Sequence, residues 1–194
     1  MTEEAAQARE CNDACVIRGS AQSEAAEAHG RYVFECIGAD GTLKWRETID
    51  NIVCTVGKNL MLDVALAGTA YTVVGPFMGL ISSTSFTAVA VGDTMTSHAG
   101  WLEAGGANAP TYSGNRKTAA WSAAAAGSKT LSAALVYAIT STGTIKGAFL
   151  NYGTGASATK DDTGGVLWSA GTFATGDKAV VNGDTLSVSY TTSL

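Results

Sequence analysis

Ionisable side chains are scarce over most of this chain. Charged residues make up 15% of the 194 positions, against roughly 25% in an ordinary soluble domain. Between Asp63 and Asp93 there is no Asp, Glu, Lys or Arg. Chemistry that moves protons or phosphates needs titratable groups converging on one site, and this stretch offers none. Histidine is nearly absent too, with His29 and His98 the two examples. Ser97-His98 would need a third group and an oxyanion donor pair; Asp93 is near in sequence, which is not nearness in the fold, so His98 reads as a loop histidine bonding locally. No Gly-x-Ser-x-Gly elbow and no Gly-x-x-x-x-Gly-Lys-Ser/Thr loop occurs. The reading is non-enzymatic, with no cofactor.

Basic clusters are missing as well. Phosphate contacts require Lys and Arg in numbers, and the single adjacent pair, Arg116-Lys117, reads as a solvated turn. Nucleic acid is therefore not an expected partner. The first ten residues are acidic and have no apolar core, unlike a secretion signal. The uncharged stretch from Val64 to Gly92 is long enough to span a bilayer. Gly68, Gly75, Pro76, Gly79 and the Ser/Thr tract at 82–85 interrupt it, which suits strands and turns better than a membrane helix.

The charge that does exist is unevenly placed. Residues 1–50 hold ten acidic and five basic side chains, and residues 51–194 hold seven of each. The whole net charge of −5 thus lies on the first quarter. Residues 1–30 read as an acidic arm. Glu3–Arg9 and Ser23–His29 have helical propensity. Neither has a strong apolar stripe, so neither folds alone. The arm is expected to be held by its own body, by a neighbouring copy or by another protein. Low surface charge on the remainder favours association.

Residues 31–194 read as one all-β body. Tyr32, Phe34 and Cys36 alternate with Val33 and Glu35, Asp40-Gly41 marks a hairpin, and Leu43 and Trp45 alternate with Lys44 and Arg46 on the return. Ile49–Val56 reads as a third strand completing a meander. One short helix is expected at 58–67, with Leu60, Met61, Val64 and Ala65 on one face and Gly68 as its C′ residue. Apolar runs at 71–81 and 86–91, alternation at 130–140, and segments 144–152 and 165–174 read as further strands. Leu186, Val188, Tyr190 and Thr192 give the last strand a core face opposite a hydroxyl face. Turns every 8–12 residues point to a β-sandwich, jelly-roll-like in its spacing. Ala88–Met95 and Ala179–Leu186 share an Ala-Val-x-x-Gly-Asp-Thr pattern and read as two similar hairpins.

Four cysteines are present: Cys11, Cys15, Cys36 and Cys54. Free thiols, a structural disulfide or an intersubunit crosslink all fit. The Cys11–Cys15 spacing differs from a zinc knuckle, and no His pair completes a site. Lys160-Asp161-Asp162 offers carboxylates in a Gly/Thr loop, but without the alternate-residue spacing of an EF-hand. Trp45, Trp101, Trp121 and Trp168 could stack on sugars if several reached one exposed face. They fit equally in a core or a subunit interface.

Several segments carry a resemblance. Gly41-Thr-Leu-Lys-Trp precedes Asn51-Ile-Val-Cys-Thr-Val-Gly-Lys-Asn-Leu-Met-Leu-Asp. Then follow Gly79-Leu-Ile-Ser, Ala90-Val-Gly-Asp-Thr-Met-Thr-Ser-His-Ala-Gly-Trp and Asp177-Lys-Ala-Val-Val-Asn-Gly-Asp-Thr-Leu. In this order they resemble a group of small virion structural proteins of tailed bacteriophages, over residues 41–194 and not over the arm. The resemblance implies a capsid decoration or cement role, as a homotrimer bound to the major capsid or another virion protein and assembled in the host cytoplasm. The alternative it implies is a collar, tail-fibre or head-fibre module that binds a host-surface glycan.

Overall fold

The computed structural model describes residues 28–66, 68 and 74–193. Most of the arm, with Cys11 and Cys15, and part of the 71–81 run lie outside the described residues.

Among the described residues two antiparallel sheets pack face to face as an all-β sandwich with one helix. The strands are β1 (His29–Ile37), β2 (Leu43–Asp50), β3 (Ile52–Val53), β4 (Phe77–Ser82), β5 (Glu103–Ala104), β6 (Lys117–Thr118), β7 (Ser128–Thr130), β8 (Leu135–Ala138), β9 (Gly143–Tyr152), β10 (Val166–Thr172), β11 (Lys178–Val180) and β12 (Thr185–Ser193). The first sheet runs β2-β1-β12-β7, with β8 also on β12. The second runs β3-β10-β9-β4-β5, with β11 on β9 and β6 on β4. The two sheets establish a sandwich; a jelly-roll winding does not follow from this pairing order.

Alternation explains the first sheet. Along β1, Tyr32, Phe34 and Cys36 are fully buried, and along β12 so are Leu186, Val188 and Tyr190. The two strands pair in register, Tyr32 opposite Tyr190 and Phe34 opposite Val188. Their inward faces meet Met78, Leu80, Ile145 and Leu150 of the second sheet in one core. Tyr137 closes the layer by donating its hydroxyl to the Met78 carbonyl at 2.9 Å.

The second sheet is buried on both sides. Ile81, Phe149, Leu167 and Ala170 face away from the main core and form a second cluster with Cys54, Met95 and Trp101. This is why 77–82 reads as an unbroken apolar run rather than an alternating one. It also corrects the expectation for 86–91. That segment forms no strand; it crosses the outer face as irregular chain, with Phe86 and Val89 packed on the second cluster.

The meander is corrected too. β1 and β2 form the expected hairpin, and β1 begins at His29, inside the segment read as arm. Residues 49–56 are not one strand. Ile49 ends in β2, Ile52–Val53 crosses to pair with β10, and Thr55 starts the helix α1 (Thr55–Leu66). The asparagine at position 51 sits at the crossing, where its backbone N–H donates to the Gly30 carbonyl at 2.9 Å.

The repeated Gly-Asp pattern is a repeated turn, not a repeated hairpin. Asp93 Oδ2 accepts the Ala90 N–H at 2.9 Å, and Asp184 Oδ2 accepts the Val181 N–H at 2.8 Å. After the second turn the chain passes from β11 in one sheet to β12 in the other. The first turn lies in the irregular covering segment.

Candidate functional site

α1 is the element that creates a site. It begins three residues before the expected start and ends at Leu66, with Gly68 at φ +64° as the stop. Its contact with the body is made at its first turns. Gly57 is the buried residue of the helix, and a Cβ there would lie 3.0 Å from the Trp168 Cα, carbonyl oxygen and ring. Only a residue without a side chain lets the helix backbone sit this close to β10.

Beyond that contact the helix stands off from the sheets. Leu60, Met61, Val64 and Ala65 share one face, as the spacing predicts, but they line an open groove of about 410 Å³. The opposite wall comes from distant parts of the chain: Pro76 before β4, Trp121, Leu150 and Tyr152 of β9, Trp168 of β10 and Thr192 of β12. Among the described lining residues Lys129 is the charged one. On the far side of the helix Leu62 is 50% and Leu66 81% exposed. Leu62 and Leu66 stand one turn apart there, among Lys58, Asn59 and Asp63.

The groove floor is fixed by a polar hub. Tyr190 Oη receives Asn51 Nδ2 at 3.0 Å and the Trp168 indole N–H at 3.2 Å, with Ser169 Oγ at 3.4 Å. Tyr32 stacks on Tyr190 at 4.3 Å and shares a hydrogen bond with Ser169. Burial raises the Tyr190 phenol above its ordinary range despite these donors, so it stays neutral and acts as a structural acceptor. The Trp168 indole N–H is thereby used inside the protein. The wall that remains is apolar and suits apolar side chains. A sugar would find few partners for its hydroxyls there.

Two of the four tryptophans converge here. Trp121 packs edge-on to Tyr190 at 5.9 Å, and Trp168 edge-on to Tyr152 at 5.9 Å. The others lie elsewhere. Trp45 donates to the Ala179 carbonyl at 3.0 Å and packs on Phe173. Trp101 is buried, donates to Asp93 Oδ2 at 2.9 Å and carries His98 stacked on it at 3.9 Å. The His98 Nδ1 lies 3.0 Å from the Trp101 carbonyl. Asp93 thus serves the indole rather than the imidazole, and Ser97, His98 and Asp93 are not arranged as a catalytic triad.

Cys36 and Cys54 are free, buried thiols in two different clusters. Burial, with Asp184 or Asp93 nearby, pushes both up to about 12, which makes them poor nucleophiles. Cys11 and Cys15 lie outside the described residues.

The Lys160–Asp162 loop is held by a buried ion pair that the sequence reading missed. Arg116 is not a solvated turn residue: Arg116 and Glu103 keep side-chain exposures of 1% and 4% and meet at 2.6 Å. Arg116 also donates to the Ser157 and Asp162 carbonyls, while Glu103 accepts the Asp161 N–H. Asp161 Oδ2 accepts the Ala107 N–H and Asp162 Oδ1 the Gly164 N–H. The carboxylates are thus engaged in fastening two loops together. Among the described residues no cluster of three or more His, Cys, Asp or Glu is placed to hold a metal ion. Among the same residues no helix is long and apolar enough to cross a membrane.

Comparisons with protein-family models, with curated proteins and with solved structures find no match.

Proposed function

We propose that this chain is a non-enzymatic structural protein of a bacteriophage virion. The sandwich body packs against copies of itself, as a homotrimer, and the arm tethers it to the major capsid or another virion protein. The observation that carries the assembly half is α1. It touches the body closely at Gly57, overhangs an apolar groove, and exposes Leu62 and Leu66 on its far side. A body whose residues 51–194 have no net charge puts little repulsion in the way of such packing. The phage half is supported by the segment resemblance, and the decoration role by the segregation of charge onto an arm. Many weak arm contacts on one shell add up through avidity.

The test removes residues 1–27, which leaves β1 intact from His29. Particle association should be lost while the body keeps its strand-rich circular dichroism and a cooperative thermal transition. A truncated protein that decorates particles as well as the full chain would sink the tether. The glycan-binding reading draws on Trp121 and Trp168 sharing one groove. Quenching of tryptophan emission by host-surface polysaccharide, with no particle association, would favour it over decoration.

A further inference from the structure

We propose that the groove beneath α1 is the docking site of this chain's own N-terminal arm, with residues 14–17 (Ala-Cys-Val-Ile) seated in it. The position of the chain entry carries the argument. Gly30 pairs with Thr192 across β1 and β12, and Thr192 Oγ1 donates to the His29 carbonyl at 2.8 Å. Thr192 also lines the groove. The arm therefore joins the body within one strand spacing of the groove wall, about 4.8 Å.

Reach and chemistry select the segment. Eleven residues lie between Ile17 and His29, and the twelve steps from one to the other span up to about 40 Å when extended, ample to turn back from the rim. Val16 and Ile17 are the only branched aliphatic residues in 1–27, which contain no aromatic residue. They are the arm's best match to a wall of Leu60, Met61, Val64 and Trp168. Asp13 precedes the segment, and Lys129 is the charged residue at the groove. Docking covers the inner face of α1 and leaves Leu62 and Leu66 for a neighbouring body. Anchoring at 14–17 leaves residues 1–13, with Glu3, Glu4 and Glu10, to reach another protein. This division of the arm rests on the tether proposed above; the docking itself does not.

The experiment is thiol trapping in the full chain. Cys11→Ser leaves Cys15 as the arm's one thiol, and Cys36 and Cys54 are buried. Ala65→Cys places a partner in the groove. Val136→Cys, on an exposed β8 position that does not line the groove, is the comparator. Under oxidised glutathione, Cys15 should form an intrachain disulfide with the thiol introduced at position 65. It should form about tenfold faster than with the one at position 136, because docking raises the effective concentration. Equal rates, or no bond at position 65, would overturn the proposal. An interchain bond at position 65 would assign the groove to a second copy and overturn it too.

A second variant needs no new cysteine. Val16→Asp with Ile17→Asp in the full chain should make Trp121 and Trp168 more accessible to acrylamide, and unchanged quenching would count against docking. Particle binding is measured separately. A trapped arm on a protein that never binds particles would end the tether reading and leave the docking standing.

Discussion

Asp184 gathers three donors on one carboxylate oxygen. Lys44 Nζ reaches it at 2.6 Å, the Val181 N–H at 2.8 Å and the Cys36 thiol at 3.6 Å. Its side chain is 1% exposed. Burial acts to raise its titration, but Lys44 and the Val181 N–H more than offset this and hold it below the ordinary carboxylate range. A carboxyl lowered on folding adds stability above its unfolded value, near about 3.9. That stability is lost as pH falls through the lowered folded value. Glu103 runs the other way, because its burial outweighs the pull of Arg116 and raises it. It therefore stabilises in the acid range and is not the source of acid sensitivity. Asp184→Asn should lower stability at pH 7 by about 1.5–3 kcal/mol, the loss of a hydrogen bond to a charged group. It should also flatten the fall in urea midpoint as pH drops below the ordinary carboxylate value of about 3.9, where the wild-type carboxylate takes up its proton. Parallel pH profiles for the two proteins would show that Asp184 is not the linked group.

At the scale of the element, α1 shows how far local pattern reaches. Its existence, its grooved face and its glycine stop follow from the sequence. Its start does not, because Thr55 and Val56 have β-branched side chains and follow a strand-like run. What settles the start is tertiary: Cys54 is buried, and its N–H donates to the Trp168 carbonyl at 2.9 Å, while the Thr55 N–H donates to that of Val91. The second sheet is legible for the same reason that 86–91 is misread. Both are apolar, and pattern alone does not separate a buried strand from an irregular segment lying over one. Half of the groove was legible, as the face Leu60, Met61, Val64 and Ala65. The facing wall was not, since Pro76, Trp121, Leu150, Trp168 and Thr192 meet only through long-range pairing. Arg116 was misread because nothing near it in sequence supplies its partner. Gly57 turns this geometry into a sign. In an exposed helix Gly→Ala stabilises by about 1 kcal/mol. Here the new methyl would stand 3.0 Å from the Trp168 backbone and ring, and overpacking costs about 1–3 kcal/mol. Gly57→Ala should therefore lower the melting temperature and shift Trp168 emission. A gain in stability would mean that α1 lifts off β10 without cost.

On the whole-molecule scale the division of charge governs how the protein behaves in solution. Residues 1–27 hold six acidic and two basic side chains, so they carry −4 of the chain's −5. Without them the body is close to neutral, and a protein near zero net charge associates readily. The exposed apolar side chains Leu62 and Leu66 then offer a surface for that association. Two influences on association differ in kind: the charge lost with the arm is global, while the Leu62–Leu66 patch, exposed with the arm present or absent, is local. Solubility in polyethylene glycol at neutral pH separates them. The body lacking residues 1–27 should precipitate at lower polymer concentration than the full chain. Adding Leu62→Glu and Leu66→Glu to the truncated body should restore most of the difference, more than two glutamates substituted on the outer face of the first sheet at Ser187 and Ser189. Equal rescue by both pairs would mean that net charge alone keeps the molecules apart. Greater rescue at the helix identifies α1 as the face on which copies meet, and the same pair in the full chain should then reduce the oligomer mass seen by light scattering.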